Sequence, residues 1–569
     1  MFRSLLTSRL RSAFAAAQID VPVDFDVAVT LAADTRFGDY QSNAAMMLAR
    51  QLKTNPRALA QSVADKLDVA DICEKVGIDG PGFLNFTVGK EALAGKLAAI
   101  RADEHLDVMR VEQPQTIVID FSAPNIAKPM HVGHIRSTII GDCLARVAAF
   151  AGHKVITDNH IGDWGTQFGM ILHGWKTMLD HEALMRDPIH ELVRCYKLVN
   201  AAAKNDDAVM NTCREELVRL QQGDVENLGI WRKCVELSLS QLRGIYSRLD
   251  IRFDHFLGES FYNDRLAPLV DELLAAGVAR ESDGAICIFF EDIPELADKP
   301  CIIRKSDGGF LYATTDLATI DHRIREWQAD QVWYVVGAPQ SLHFQQIFAA
   351  SRKRGQRARM SHIAFGSILG PDGKMFKTRS GESVGLLEVL DEAIARARAV
   401  VAEREGFSDG EKDAIADVIG IGAVKYAELS QHRMTDYKFS WDKMLSLQGN
   451  TAPYLINAFV RTRSIFRKLD GQAVLTDDIT ITDPAERALA MKLAQLSETV
   501  HDVLVDFRPN LLANYLYELA NAYHAFYEAC PVLRSEGSVR NTRLVLCDAT
   551  SRVLQTGLGL LGIKTTERM

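Results

Sequence analysis

The apolar positions of this chain change their period several times, and those changes divide it. Phe2, Leu5, Leu6, Leu10 and Phe14 recur at helical spacing and predict a first helix packed on a core. From there to about residue 110, helical stretches alternate with short apolar runs at 27–31 and 82–88, as in a small α+β module. The charged, proline-bearing segment 101–114 closes that module. A strongly apolar run at 116–119 follows. Ser, Pro and Asn turn residues come next, and helical spacing resumes at Val132, Ile135, Ile139 and Ile140, which gives strand, turn, helix. A second apolar run at 154–157 leads into the polar loop Asp158-Asn159-His160-Ile161-Gly162-Asp163-Trp164-Gly165. Strand, helix and strand with a loop at the carboxyl end is how a doubly wound parallel sheet presents a site.

Residues 172–282 are mostly amphipathic helix, for example 189–203 and 232–249, and read as a helical insertion into that sheet. Strand-like runs resume at 285–290, 301–304 and 310–314. A helix at 317–327, a strand at 331–336, a helix at 343–354 and a strand at 361–365 then complete an alternating α/β domain. From about 385 onward the pattern is helical throughout, with breaks at 406–410, 449–453, 471–484 and 535–539. The expected units are 1–110, 111–400 and 401–569. Tyr515, Tyr523, Phe526 and Tyr527 fall at helical spacing in the last of them, and such a stripe is core rather than a stacking surface.

Composition narrows the class without naming it. At 569 residues the chain is too long for one ordinary domain, and 47% hydrophobic with 24% charged is globular. A formal charge of -9 excludes a uniformly basic coat but leaves room for a local basic face, such as Arg461, Arg463, Arg467 and Lys468. In that patch phosphate contact and a solvated face stand level. Nine cysteines without a CxxC pair point to reduced thiols in a cytoplasmic protein and away from zinc. No apolar run is long enough to cross a bilayer. The Arg- and Ser-rich start resembles a transit peptide, but its apolar stripe favours a structural helix.

The chemistry concentrates in 121–142, FSAPNIAKPMHVGHIRSTIIGD. His131 and His134 share a face at the opening of a helix, where free amides and the helix dipole already attract phosphate. Gly133 leaves room for a base or ribose against the backbone. About 240 residues later, after the last predicted strand, Gly373-Lys374-Met375-Phe376-Lys377-Thr378-Arg379-Ser380-Gly381 reads as a basic loop. A sheet wound in two halves brings these ends over one crevice. That suits nucleotidyl transfer, in which a carboxylate attacks the α-phosphate of ATP and the protein supplies positioning and cations. His131, His134, Lys374 and Lys377 are the candidate catalytic residues, with Lys128 as a further cation. In the first module Phe37-Gly38-Asp39-Tyr40-Gln41-Ser42-Asn43 is either a turn that stacks on an RNA loop, through Phe37, Tyr40 and Asn43, or a helix cap.

FSAPNIAKPMHVGHIRSTIIGD, TDNHIGDWGTQFG, DGGFLYATTDLATI, GKMFKTRSG, IGAVKYAELSQHRMTDYKFSWDKMLSLQGNTAPYL and the closing LLGIKTTERM together resemble the arginyl-tRNA synthetases, which are class I aminoacyl-tRNA synthetases. The resemblance runs over almost the whole chain. It implies a multidomain protein: a doubly wound Rossmann-type parallel-sheet catalytic domain with a helical insertion, a small α+β N-terminal domain that contacts tRNA, and an all-α C-terminal domain that binds the anticodon. It also implies an arginine–tRNA ligase. Ser122, Asn125, His134, Tyr312, Asp316 and Gln340 match the family's arginine-contacting positions, and Lys128, His131, Gly133, His134, Lys374 and Lys377 its ATP site. Asp316 can accept two parallel bonds from a guanidinium, although its position before Leu317 also suits a helix cap.

Partners implied are L-arginine, ATP with Mg2+ and tRNA(Arg), the metal arriving with ATP and no dedicated site being evident. Arg461 and Arg463 would face the tRNA. A monomer in the cytoplasm, with activation that requires bound tRNA, is the family's expectation. Phe376 replaces the small residue of the general class I pattern, as in other arginine enzymes, and Gly337 and Pro339 replace Asp and Arg of the family. The insertion is too short for a hydrolytic editing domain, which a site built around a guanidinium does not need. Two alternatives share parts of this pattern: a small-molecule adenylyltransferase with the same HxGH sheet, and a non-catalytic tRNA-binding paralogue.

Overall fold

The structure, a computed structural model, describes residues 1–165, 167–370, 384–469 and 475–569. Helix α1 (Phe2–Ala16) buries Phe2, Leu6, Leu10 and Phe14, whereas Leu5, counted in the same stripe, points to solvent. The module continues through β1 (Thr30–Leu31), β2 (Tyr40–Ser42), α2 (Ala44–Leu52), α3 (Pro56–Ala64), β3 (Cys73–Asp79), β4 (Phe83–Val88) and α4 (Lys90–Ala102). Its four strands form an antiparallel sheet in the order β1-β2-β4-β3. The run at 27–31 yields only a two-residue strand, and the segment 37–43 is not simply a turn or a cap, because it contains β2. Tyr40 and Ser42 face the core there on alternate positions, the period of a strand.

The central unit is built on β5 (Thr116–Asp120), α5 (Val132–Phe150) and β6 (Lys154–Asp158). The insertion follows as α6 (Gln167–Met178), α7 (His181–Arg186), α8 (Pro188–Ala203), α9 (Asp207–Gln221), α10 (Val225–Arg248) and α11 (Asn263–Ala275). Next come β7 (Ala279–Ser282), which falls within the stretch expected as helical insertion, and β8 (Ala285–Ile288) and β9 (Cys301–Arg304), expected in the alternating α/β domain; the three form an antiparallel sheet of their own. Asp283 and Gly284 explain this, since both have positive φ (52 and 76) and make a two-residue hairpin turn. The chain then forms α12 (Tyr312–Arg325), β10 (Gln331–Tyr334), α13 (Ser341–Lys353), β11 (Arg359–His362) and β12 (Ile368–Leu369). The run at 310–314 is therefore not a strand: α12 begins at Tyr312, and the Thr314 hydroxyl donates to the Ile303 carbonyl.

The parallel sheet has the order β11-β10-β5-β6, wound outward from β5 and β10 in two halves. The remainder is α14 (Leu386–Ala402), α15 (Asp409–Leu429), β13 (Tyr437–Lys438), α16 (Trp441–Met444), α17 (Ala452–Lys468), α18 (Pro484–Ala494), α19 (Leu496–Asp506), α20 (Pro509–Ala529) and α21 (Gly537–Leu560). It is helical as expected except for β13, which pairs in parallel with β12. Tyr515, Tyr523 and Phe526 are buried in it, and Tyr527 is partly exposed.

One apolar core runs through the N-terminal module, α5 and the C-terminal helices. Polar contacts fix the same junction. Arg3 pairs with Asp502 (2.6 Å), Arg487 with Asp39 (2.7 Å), and the buried Tyr40 hydroxyl donates to Glu498 (2.9 Å).

Candidate active site

The site is organised by the turn between β5 and α5. Ser122, Ala123 and Ala127 have φ of 73, 43 and 56, a left-handed conformation that costs non-glycine residues energy and is held by surrounding bonds. The Ser122 N–H donates to the Ser137 hydroxyl (2.8 Å), which donates to the Val335 carbonyl (2.6 Å). The Ala123 N–H donates to Asn159 (3.1 Å). The Ser122 and Tyr246 hydroxyls lie 2.8 Å apart, and the Asn159 amide donates to Tyr246 (2.9 Å). Asn125 is exposed and lies against Gly162, where an added Cβ would come within 2.2 Å of its side-chain oxygen. Lys128 is also exposed, its Nζ 5.6 Å from the centre of the Tyr196 ring on α8.

His131 is the N-cap of α5. Its Nδ1 accepts the Gly133 N–H (3.1 Å), and Nδ1 of His134 accepts the His131 N–H (3.2 Å), so the two rings form a reciprocal capping box with centres 4.0 Å apart. With both Nδ1 atoms accepting, each neutral ring carries its proton on Nε2. Burial lowers the pKa of both, and that of His134 falls to about 4, helped by His131. The pair is therefore neutral at physiological pH and offers two Nε2–H donors at a helix N-terminus, which also supplies free amides. Gly133 has a nearer reason than room for a nucleotide: a Cβ there would meet the His131 ring at 2.8 Å.

The second half of the site comes from α12 and α13. Tyr312 opens α12 and is exposed, and Asp316 lies one turn on, its carboxylate bonded to His343 Nε2 on α13. Gln340 is exposed just before α13. Arg323, two turns further along α12, is fully buried and pairs with Asp120 and Asp158 (both 2.7 Å), at the carboxyl ends of β5 and β6. This triad seats α12 on the half of the sheet that carries the turn. Glu259 joins the same place: burial, with Asp163 and Asp316 nearby, raises its pKa to about 7 against the opposing effect of His160. The Tyr312 pKa rises through burial and Glu259. Tyr246, His343 and Glu259 carried no sequence signal, being a tyrosine in an amphipathic helix, a helix-start histidine and an acid in an irregular loop.

Lys374 and Lys377 lie outside the described residues, but the chain on either side of 371–383 is placed. The Val132 N–H donates to the Val384 carbonyl and the Leu386 N–H to the Met130 carbonyl (both 2.9 Å). On the other side β12 pairs with β13. Among the described residues, no group of three or more His, Cys, Asp or Glu is placed to hold a metal ion, and no helix is long and apolar enough to cross a membrane.

Of the expected RNA contacts, Phe37 is exposed and lines a cleft of about 760 Å³ that also includes Lys75, Arg487 and Lys492. Asn43 is exposed as the N-cap of α2, although the cap bond comes from the Ser42 hydroxyl (3.2 Å). Tyr40 offers no ring to a base, because its strand position turns it inward onto Glu498. Arg461 sits over the Tyr527 ring (5.4 Å), and Arg463 pairs with Glu567 (2.9 Å).

Three families match the chain: Arginyl tRNA synthetase N terminal domain over residues 4–88, tRNA synthetases class I (R), catalytic domain over 96–441, and DALR anticodon binding domain over 455–569. An arginine–tRNA ligase of Chromobacterium violaceum is 45% identical over 573 residues, covering 99% of both chains, and one of Thermobifida fusca is 44% identical over 577, covering 100% of this chain and 99% of that one. Among solved structures, the arginyl-tRNA synthetase of Plasmodium falciparum superposes with a TM-score of 0.87 at 28% identity, covering 100% of this chain and 99% of that one. That of Thermus thermophilus gives 0.85 at 26%, with 100% of both covered. With the three matched segments in order on a sheet that carries His131 and His134 at a helix start, the chain belongs to the arginyl-tRNA synthetases, the arginine–tRNA ligases of class I.

Proposed function

We propose that the chain joins arginine to tRNA(Arg) at this crevice in two steps. In the first, the arginine carboxylate attacks the α-phosphorus of ATP, the bond to the bridging oxygen of pyrophosphate breaks, and arginyl-adenylate forms. In the second, a hydroxyl of the terminal adenosine attacks the arginyl carbonyl and AMP leaves. His131 and His134 donate from Nε2 to the phosphate oxygens, while the amides at the start of α5 and Lys128 add positive potential, with Gly133 keeping the His131 ring in place. Lys374 and Lys377 supply the cations that follow charge onto pyrophosphate. Asp316, oriented by His343, takes the guanidinium together with Tyr312 and Gln340, and Ser122, Asn125 and His134 face the α-amino and carboxylate end. Magnesium enters as part of the ATP complex and neutralises phosphate charge when bound. Asp120 and Asp158, the acids at the strand ends, are already paired with Arg323.

The observation that carries this reading is the pair of backbone bonds from Met130 and Val132 to Leu386 and Val384. They bring the chain that follows the two lysines to the start of the HVGH helix. For tRNA, we assign its corner to the cleft at Phe37 and to the exposed Asn43, and its anticodon arm to the helices bearing Arg461 and Arg463. The units are taken as 1–110, 111–400 and 401–569, acting as a monomer in the cytoplasm. ATP–pyrophosphate exchange tests the proposal. Exchange should depend on arginine and on tRNA, with lysine inactive. No exchange in any condition from folded protein, or exchange with lysine instead, overturns it.

A further inference from the structure

Arg136 lies two residues beyond His134 and is buried to 1% exposure. Its Nη1 donates to the Thr435 carbonyl (3.0 Å), its Nε lies 3.0 Å from Glu428, and its guanidinium sits 5.4 Å from the centre of the Tyr437 ring. Glu428 projects from α15, is equally buried, and accepts a hydrogen bond from the Tyr437 hydroxyl. Tyr437 is the first residue of β13, and its partner across the ladder is Ile368, the first residue of β12. The Phe439 N–H donates to Leu369 (3.0 Å) and the Gly366 N–H to Arg433 (2.9 Å), which extends this pairing on both sides. A chain of direct contacts thus runs from the helix start that holds His131 and His134, through Arg136, Glu428 and Tyr437, to the strand that leads toward Lys374 and Lys377.

We propose that Arg136, Glu428 and Tyr437 are positioning residues for the nucleotide half of the site, fixing β12 relative to the HVGH helix. The set rests on the reading of that helix as the ATP site. Stability is a poor explanation for it. Removing a guanidinium and a carboxylate from water costs more than a pair returns unless every donor is matched, and here Nη2 of Arg136 has no hydrogen-bond partner. Apolar side chains of similar size would fill the space without burying either charge. What they would not supply is direction: the guanidinium holds a carbonyl of the 433–436 turn and a carboxylate on α15 at once, and that carboxylate holds the strand's first side chain. The guanidinium pocket stands apart from this set, on α12 and α13, seated by Arg323.

The test is pyrophosphate exchange by the full chain with tRNA present, with KM measured separately for ATP and arginine. Two variants are compared with the parent: Arg136→Met/Glu428→Met, which removes both buried charges together, and Tyr437→Phe, which removes one hydroxyl. In the double variant kcat should fall or KM for ATP rise by about tenfold to a hundredfold, the scale of a small misplacement at a reacting centre. KM for arginine should rise by a clearly smaller factor than KM for ATP, since Tyr312, Asp316 and Gln340 are untouched. Tyr437→Phe should shift the same ATP parameters by a smaller factor, and it carries the test alone if the double variant does not fold. Unchanged ATP parameters overturn the proposal, as do ATP and arginine constants that rise together, which is what a merely structural role would give. Arginine-dependent exchange by the parent protein checks the reading beneath it separately.

Discussion

Replacing Asp316 with Asn keeps the shape of the side chain and removes its charge, which isolates the electrostatic part of guanidinium recognition. His343 can still donate to the remaining oxygen, so the side chain keeps its orientation. What arginine loses is a charge-assisted bond pair in a half-buried site, worth roughly 2–3 kcal/mol, and at 1.4 kcal/mol per decade that is about 30- to 150-fold in affinity. Glu259 moderates the loss. Asp316 is one of the groups that raise its pKa, so the neutral Asn lets Glu259 ionise more readily and restore part of the attraction. The expected rise in KM for arginine is therefore near the lower end, about 30-fold. KM for ATP should not change, because the histidine pair belongs to the other half. Steady-state exchange at saturating ATP and tRNA, with arginine varied, measures it. An unchanged KM for arginine, or one that rises only in step with KM for ATP, refutes the guanidinium pocket.

Three further outcomes are expected. Glu259, raised from 4.5 to about 7, contributes stability as the neutral acid below its unfolded value and loses it as pH rises through 7. Cationic arginine favours the carboxylate instead, so its KM should fall as pH rises through about 7, and Glu259→Gln should flatten that profile in exchange assays. Tyr40→Phe removes one of the two bonds to Glu498 Oε1, the other coming from the Arg3 N–H, and should cost about 1–3 kcal/mol, visible as a lower first unfolding transition in a thermal melt with arginine KM unaltered. Gly141→Ala would place a methyl 2.2 Å from Cγ and 2.4 Å from Cβ of Phe121, and no rotamer change moves the Cβ, so about 1–3 kcal/mol of overpacking should appear in the melt together with weaker arginine binding.

The parts of this molecule set by local pattern were readable in the sequence. The strand, turn and helix around HVGH, the alternation that follows, and the C-terminal breaks at Gly and Pro all reflect periods and turn residues within a few positions of one another. The hairpin at Asp283-Gly284 was as local, and an Asp-Gly pair is a hairpin signal, but the strand before it, Ala279-Arg280-Glu281-Ser282, carries no apolar run to mark it. Tyr312 was harder, since Thr314 and Thr315 favour a strand locally, and the contacts that hold the helix, such as the bond from Thr314 to Ile303 and the seat of Arg323 on Asp120 and Asp158, are distant in sequence. In the site, His131, His134, Lys374 and Lys377 stood out by type and spacing, and the arginine-contacting positions were implied by the family resemblance, but the groups that orient them were not. Tyr40 meets Glu498 across 458 positions, and Arg136 meets Glu428, so no local rule links either pair. The capping box of His131 and His134 was hidden for a different reason. Histidine is a rare cap, and its Nδ1 takes the role that a serine or glutamate oxygen usually fills.

The junction of the first module with the C-terminal helices changes how a tRNA would be recognised. Arg3, Asp39 and Tyr40 tie the surface around Phe37 to α18 and α19, on the same helical body that carries Arg461 and Arg463. On the assignment proposed above, the two surfaces would behave like the jaws of a fixed caliper rather than two hands on a flexible arm. A nucleic acid would then be measured by the span between its corner and its anticodon, and one of the wrong span would lose one contact or the other whatever its sequence.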